Sequence, residues 1–261
     1  MNHSSGNGRE FEFDFDDPSL RAALELHHGL ARQGPGSAAT TRRLLSLAQP
    51  VPPRPRALDL GCGPGPSAVL LARETEAEVT AVDLYPVFLD ELRSNAENAG
   101  VAHRIHPENR SMDDLPHPDG SFDLVWSEGA AYNIGFDAAL RAWRHLLAPE
   151  GVLVVTELGW TTDTPHPEAR EFWDAVYPLR STAENIALAT AAGYTVTATY
   201  LLPDEDWFAE YYTPLEQRIT EVDPDDPYAV EAADYLRREI ELRRAHGADY
   251  GYVGYVLRPR G

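Results

Sequence analysis

The chain has 261 residues, a single cysteine and a formal net charge of −20. This length accommodates one large α/β domain with a hydrophobic core and a modest helical cap. The negative charge repels phosphate backbones and anionic lipids, so we expect neither nucleic acid nor a membrane as a partner. The lone cysteine excludes an intramolecular disulfide and a multi-cysteine metal site. We therefore expect a cytoplasmic protein that binds no metal ion, and we leave open whether it forms a homodimer.

The first 50 residues are predicted to form a helical lid segment. Residues 10–17 alternate acidic and aromatic side chains and are interpreted as a short strand or an extended lid. Apolar spacing predicts helices over 20–32 and 38–48, and the turn between them, 33–37, is rich in glycine and proline. Prolines crowd residues 50–55, which we interpret as a stiff linker into the next domain.

From residue 56 onward, short apolar runs alternate with helical stretches. The apolar runs are 56–60, 78–84, 122–126 and 151–158, with a weaker candidate at 103–106, and the helical stretches are 67–75, 87–99 and 138–147. This alternation is typical of a parallel sheet covered by helices on both faces. Residues 51–202 are therefore predicted to form an α/β core domain.

The pattern changes after Trp160. The predicted elements are helices over 167–177 and 182–192 and strands over 194–202 and 250–261. Residues 203–249 contain two acid-rich helical stretches, which we interpret as a cap inserted before the final strand. The acidic runs near 204–206 and 223–226 are interpreted as solvated loops.

A glycine-rich turn follows the first strand of the core and leads into a helix that begins at Pro66. Glycines let the backbone turn tightly and approach a ligand, and the helix adds a positive dipole end. A dinucleotide-binding turn needs glycine or alanine where this chain has Pro66. Asp59, just before the turn, would repel a pyrophosphate but suits a ligand with an ammonium group. The turn therefore favours S-adenosylmethionine, which has an ammonium, a sulfonium and no phosphate.

Five motifs occur in the order expected of one known family. They are D-L-G-C-G-P-G at 59–65, A-V-D-L at 81–84, S-M-D-D-L-P at 111–116, G-S-F-D-L-V-W at 120–126 and L-L-A-P-E-G-V-L at 146–153. Together they resemble class I, Rossmann-like S-adenosylmethionine-dependent methyltransferases of the type 11 subgroup. Glu150 departs from that pattern, which commonly has glycine there. The resemblance implies a three-layer α/β sandwich with a seven-stranded, mostly parallel sheet, an antiparallel last strand and added helical cap elements.

The resemblance also implies a cofactor site. Its predicted residues are Gln33, Asp59, Gly61, Cys62, Gly63, Gly65, Asp83, Leu84, Met112, Asp113, Ser127 and Glu128. Asp59, Gly61 and Gly63 would line the methionine part of S-adenosylmethionine, and Asp83 would hold the ribose hydroxyls. Cys62 is interpreted as a packing residue rather than a nucleophile.

The same resemblance assigns the adenine and methyl ends of the cofactor. Leu84 would lie against the adenine, Met112 would pack on it or supply a backbone N–H, and Asp113 would face its amino group. Ser127 and Glu128, just after the fourth strand, would sit beside the methyl group.

Glu128, Glu157 and Tyr132 are the candidate catalytic residues. Both glutamates follow apolar strands at their carboxyl ends, where open α/β sheets bind ligands. They are interpreted as a base or an ammonium clamp for the acceptor, or else as solvated loop acids. Tyr132 and Asn133 would shape the same pocket or form a helix-entry turn. Aromatic residues crowd the C-terminal half and would form either an acceptor cap or a packed core.

Three hypotheses of function follow. The first is a methyltransferase that acts on nitrogen or oxygen of a small neutral or cationic molecule. The second is an NAD(P)-dependent oxidoreductase on a similar sheet. The third is a module that binds the cofactor without catalysis, because a pocket alone does not establish a reaction.

Overall fold

The structure of the chain, a computed structural model, describes residues 17–260. The interpretation of residues 10–17 as a strand or lid therefore falls, except for Asp17, outside the described residues. The strands are β1 Arg56–Leu60, β2 Glu78–Asp83, β3 Ile105–Asn109, β4 Phe122–Ser127, β5 Leu147–Trp160, β6 Arg180–Ser181, β7 Tyr194–Leu201 and β8 Tyr250–Pro259. The helices are α1 Pro18–His27, α2 Ala38–Leu47, α3 Pro66–Thr75, α4 Pro86–Asn98, α5 Phe136–Trp143, α6 Pro167–Val176, α7 Thr182–Ala191, α8 Glu205–Trp207, α9 Thr213–Thr220 and α10 Pro227–His246.

The strands form one mixed sheet with the order β3-β2-β1-β4-β5-β8-β7. Strands β1 to β5 pair in parallel, whereas β8 runs antiparallel to both of its neighbours, β5 and β7. This confirms the predicted mostly parallel sheet with an antiparallel last strand. The two-residue strand β6, which pairs with the end of β5, is an eighth strand that the sequence pattern did not predict.

Helices cover both faces of the sheet, as the predicted three-layer sandwich requires. Alternate residues of β5 point to opposite faces: Val154 packs in a cluster with residues of α2, α3 and α4, and Val155 packs with residues of α5 and α7. A third apolar cluster joins α1 to α6, α9 and α10, with Trp207 and Tyr212 fully buried in it. Most of the aromatic residues of the C-terminal half therefore pack this third cluster.

Two local features differ from the sequence predictions. Helix α1 ends at His27, earlier than predicted, and Gly29 follows with a φ of +76° that a helix cannot continue through. Asp206 is not in a solvated loop: its side chain is buried and accepts a hydrogen bond of 2.5 Å from Thr40 Oγ1. The hydroxyl of Ser37 caps α2 by accepting from Thr40 N–H.

The cap contains an irregular helical turn. Residues Phe208–Tyr212 form a π-helical turn between α8 and α9. Such turns are rare and often occur at functional sites. Within residues 17–260, no helix is long and apolar enough to cross a membrane.

Candidate functional site

A cavity of about 350 Å³ opens at the carboxyl ends of β1, β2 and β4. Its walls come from α1, the turn that follows it, the glycine-rich turn and the segments after β2, β3 and β4. The predicted site residues that line it are Gln33, Asp59, Gly61, Cys62, Gly63, Asp83, Leu84, Met112, Asp113, Glu128 and Tyr132. The structure thus brings together 11 of the predicted positions around one space.

The glycine-rich turn is held in place by the end of β2. The N–H groups of Gly61 and Cys62 both donate to the carbonyl oxygen of Val82, at 2.9 and 3.0 Å. Gly61 and Gly63 adopt φ of +68° and +53°, which favours glycine. A Cβ on Gly61 would stand 2.3 Å from the Cβ of Ala130. Any side chain at position 61 would collide with Ala130, so glycine is required for this turn to keep the cavity open.

Asp59 is a carboxylate at the floor of the cavity. It is 2% exposed, and its Oδ2 has no hydrogen-bond partner among the described residues. Burial, and next the charge of Glu128, raise the pKa of this carboxyl to about 8. An N–H of Ala68 and the charge of Arg32 act in the opposite direction. Ionising this buried carboxyl costs free energy that a bound cation would recover.

Asp83 lies at the end of β2, on another wall of the cavity. Its Oδ2 accepts from Gly63 N–H at 2.8 Å and its Oδ1 accepts from Tyr85 N–H at 2.9 Å. Burial raises the pKa of this carboxyl, while these N–H groups act in the opposite direction. Asn109 fixes the adjoining backbone by donating to the carbonyl oxygens of Asp83 and Leu84.

Glu128 accepts three side-chain hydrogen bonds in the cavity wall. Its Oε2 accepts from Arg32 Nη1 at 3.1 Å, and its Oε1 accepts from Thr41 Oγ1 at 2.8 Å and Trp126 Nε1 at 2.9 Å. Arg32 also donates to Glu210 at 3.0 Å. This network ties the strand end to the segment after α1 and to the cap. With both oxygens already accepting, Glu128 is suited to binding and orientation more than to taking a proton.

Further predicted residues have ordinary local roles in the cavity wall. Gln33 donates from Nε2 to the Leu30 carbonyl, and its buried Oε1 has no partner among the described residues. Burial raises the pKa of Cys62, so its thiol stays protonated and unreactive. The carbonyl oxygen of Met112 accepts from Trp143 Nε1, and Asp113 accepts a short hydrogen bond from Ser111.

Three predicted residues do not line the cavity. The hydroxyl of Ser127 is turned to the Leu60 carbonyl, which accepts its hydrogen bond at 2.9 Å, so Ser127 joins β4 to β1 instead of facing a ligand. Gly65 faces α4, where an added Cβ would stand 1.9 Å from Leu92 Cδ1. Glu157 accepts from Tyr177 Oη at 2.6 Å, and burial raises the pKa of its carboxyl to about 8. The roles predicted for these three residues beside the cofactor or acceptor do not match their positions.

Tyr132 stands at the outer side of the cavity. It is 38% exposed, and its ring meets that of Tyr177 edge-on at 5.9 Å. The pKa of its phenol is raised by desolvation and by the charges of Glu239 and Glu157.

Among the cavity residues that sequence reasoning missed are two with titratable or charged side chains at the α1 end, His27 and Arg32. His27 donates from Nδ1 to the Ala23 carbonyl at 2.7 Å, which leaves Nε2 to accept from Tyr211 Oη at 3.2 Å. Burial lowers the pKa of its ring, so the imidazole is neutral. No motif in the sequence marks either residue, because their partners lie far away along the chain.

One group of side chains in the described part of the chain has the composition of a metal site. His166, Glu168 and His246 place one ligand atom each within 4.8 Å of one another. None of the three lines the cavity.

Comparison with known proteins agrees with this geometry. Residues 57–151 match a family described as methyltransferase domain. A dimethylglycine N-methyltransferase of Parasynechococcus marenigrum is 36% identical over 119 residues, which is 45% of this chain and 42% of that protein. The chain spans about half the length, or less, of the curated relatives it matches.

Two solved structures share the fold over most of the chain. An S-adenosylmethionine-dependent methyltransferase from Geobacter sulfurreducens, in complex with S-adenosyl-L-homocysteine, superposes with a TM-score of 0.80 at 22% identity. The alignment covers 92% of this chain and 98% of that one. The [4+2]-cyclase SpnF superposes with a TM-score of 0.73 at 20% identity, covering 94% of each chain. Residues 57–151 therefore match a methyltransferase domain, and the described chain has the Rossmann-like fold of these solved structures.

Proposed function

We propose that the chain is an S-adenosylmethionine-dependent methyltransferase that acts on nitrogen or oxygen of a small molecule. One observation carries the proposal: the buried carboxyl of Asp59, whose Oδ2 has no hydrogen-bond partner among the described residues, lies on the floor of a cavity that the glycine-rich turn leaves open. A cation held close to bare backbone is what this arrangement accommodates best. The ammonium of the methionine moiety meets that requirement without a phosphate.

The residues present fit the rest of the cofactor. The two oxygens of Asp83 accept from the N–H groups of Gly63 and Tyr85, and a carboxylate offers about four lone-pair sites, so the group can still accept from a ribose hydroxyl. Leu84 and Met112 offer apolar surface to an adenine, with Asp113 beside them on the wall. When bound, the cofactor supplies an electrophilic methyl group on a sulfonium.

The chain's own contribution is to position the acceptor and exclude water, which is the main source of acceleration in such a transfer. Hydrogen bonds from Arg32, Thr41 and Trp126 fix Glu128. In that position Glu128 orients an acceptor that enters the cavity from the side of α1. Tyr132 bounds the opposite side of the opening. An acceptor amine must be neutral at transfer, and its proton leaves to solvent or to a neighbouring base.

Two other functions remain to be separated from this one. An NAD(P)-dependent oxidoreductase would have to place a pyrophosphate near the carboxylates of Asp59, Asp83 and Glu128, which all line this cavity and would repel it. The stronger alternative is a protein that has this fold but does not transfer a methyl group, because the cyclase SpnF shares the fold.

The test is calorimetric titration of the purified chain with S-adenosylhomocysteine, S-adenosylmethionine, NAD⁺ and NADP⁺, followed by transfer of labelled methyl groups. The acceptor panel holds amines, phenols, carboxylates and RNA. We expect binding of the first two ligands only and labelling of amines or phenols. Tighter binding of a nicotinamide nucleotide would overturn the cofactor assignment. Cofactor binding with no labelled acceptor would favour a protein that binds without methylation, and labelling of RNA would overturn the small-molecule acceptor.

A further inference from the structure

The start of α6 and the end of α10 bring two histidines and a glutamate together outside the cavity. His166 caps α6, Glu168 lies in its first turn, and His246 is the last residue of α10. Each side chain offers one ligand atom, and the three atoms lie within 4.8 Å of one another. We call these three residues the His–Glu cluster. Sequence spacing did not indicate it, because the two histidines lie far apart along the chain.

The three side chains already contact one another. His246 Nε2 lies 3.0 Å from Glu168 Oε2, and the ring centres of His166 and His246 are 4.0 Å apart, with 11° between the ring planes. Two ligand atoms of a tetrahedral zinc site are about 3.3 Å apart when each bond to the metal is about 2.0–2.1 Å long. The contact between His246 and Glu168 is close to that spacing. His166 Nδ1 accepts from Glu168 N–H at 3.3 Å, a long hydrogen bond that a turn of the exposed ring can give up.

The backbone that carries the cluster is fixed by contacts between the two segments. Thr161 N–H donates to the Asp249 carbonyl at 2.9 Å, and His166 N–H donates to the Asp249 carboxylate at 2.8 Å. Further along the two helices, Phe172 of α6 stacks on Tyr235 of α10 at 5.7 Å. The two helices are therefore held together by contacts that need no metal ion, and this gives the rigid support that a metal site requires.

The donor set determines the kind of ion. Two imidazoles and one carboxylate are a zinc ligand set that leaves a fourth position for water, whereas Mg²⁺ and Ca²⁺ take oxygen ligands. The carbonyl end of α10 is negative, and the Glu168 carboxylate offsets the positive end of α6. A net charge of −20 also draws cations to the chain. The surroundings therefore favour a divalent cation at the His–Glu cluster.

We propose that the His–Glu cluster binds a Zn²⁺ ion through His166, Glu168 and His246. The ion takes the place of the direct contact between His246 and Glu168 and ties the start of α6 to the end of α10. Its effect is on the stability of the fold, because none of its ligands lines the cavity. The inference does not depend on the proposed function.

The test is calorimetric titration of Zn²⁺ into the full chain, prepared without a polyhistidine tag. We expect one ion to bind per chain and Mg²⁺ to give no heat of binding. His166→Gln and His246→Gln should each weaken Zn²⁺ binding at least about tenfold, the smaller loss found when even an outer-shell partner of a ligand is removed. The matched control is His103→Gln, which removes an exposed histidine outside the cluster and should bind Zn²⁺ like the wild type.

Two further measurements do not rely on the titration. Co²⁺ in a four-coordinate site absorbs visible light much more strongly than the hydrated ion, so the wild type and His103→Gln should show this spectrum and the two cluster variants should lose it. Zn²⁺ should also raise the melting temperature of the first pair only, because a ligand of the folded state stabilises it.

Two results would overturn the inference. If the wild type takes up no Zn²⁺, the cluster is a surface contact between side chains and nothing more. If a protein that carries both His166→Gln and His246→Gln keeps the wild-type affinity, the ion binds elsewhere in the chain. All of these substitutions are at exposed or half-buried positions, so the variants are expected to fold, and circular dichroism checks that they do.

Discussion

Replacing Asp59 by asparagine should make the ligand-free protein more stable at alkaline pH. The carboxyl has an ordinary pKa of 3.8 when exposed and a pKa of about 8 in the fold. Because the folded-state value is the higher one, folding favours the protonated form. The resulting stability is complete below pH 3.8 and is lost as the pH rises through about 8.

The size of the effect follows from linkage. Each pKa unit is worth about 1.4 kcal/mol, and at pH 7 the unfolded chain ionises Asp59 while the fold keeps it protonated, which lowers stability by about 4 kcal/mol relative to acidic pH. An amide removes the charge but still needs hydrogen bonds, which offsets part of the gain. We expect Asp59→Asn to raise the free energy of unfolding at pH 8 by roughly 2–4 kcal/mol and the melting temperature by about 4–12 °C. The advantage should shrink at pH 5.

The assay is urea unfolding at pH 5 and pH 8, with calorimetry of S-adenosylhomocysteine binding on the same samples. Asp123→Asn is the control, because the bond to Arg56 lowers the pKa of Asp123 and its loss should reduce stability at pH 8. Affinity for S-adenosylhomocysteine should fall at least tenfold, or about 1.4 kcal/mol, in Asp59→Asn only. The reasoning would be refuted if Asp59→Asn were no more stable than the wild type at pH 8. It would also be refuted if the gain in free energy of unfolding were as large at pH 5 as at pH 8.

Three further predictions concern the rest of the site. Asp83→Ala should weaken S-adenosylhomocysteine binding by roughly 1–3 kcal/mol in calorimetry, and unchanged affinity would remove Asp83 from the ribose role. Arg32→Met should destabilise the fold by about 3–5 kcal/mol in urea unfolding because it leaves Glu128 buried without its cation, and a loss below about 1 kcal/mol would contradict the network. Gly65→Ala should cost at least about 1–3 kcal/mol, since an alanine at φ +82° is strained and meets Leu92, and the further change Leu92→Ala should relieve the contact but not the strain.

Features set by short stretches of chain could be predicted from the sequence. Ser37 caps α2 because its hydroxyl needs only a neighbouring N–H, and Pro66 opens α3 because it has no N–H to lose. The central strands could be predicted from the apolar runs, because each run is a short continuous stretch of the chain. Strand β5 nevertheless proved much longer than its apolar run, because sheet pairing extends it at both ends.

Features that depend on distant partners could not be predicted. Glu128 and Arg32 are far apart in sequence, and no periodicity indicates that they meet. Glu157 lies within β5 and bonds to Tyr177, whereas Glu128 follows the end of β4 and lines the cavity. The sequence pattern around Asp206 is that of an acidic loop, but the side chain is buried and accepts a hydrogen bond from Thr40, 166 residues away. In each case a tertiary contact, not the local pattern, decides the environment.

The position of β8 has a consequence for how the chain acquires its structure during synthesis. Strand β5 needs β8 as its neighbour, yet Tyr250 follows Trp160 by about 90 residues, and β7 cannot pair until β8 lies beside it. At translation rates of roughly 5–20 residues per second, the edge of β5 stays bare for about 5–20 seconds. This edge is a long, apolar strand of the kind that recruits other chains. A nascent protein of this type is expected to depend on a chaperone or on rapid docking of the cap to protect that edge until the strand arrives.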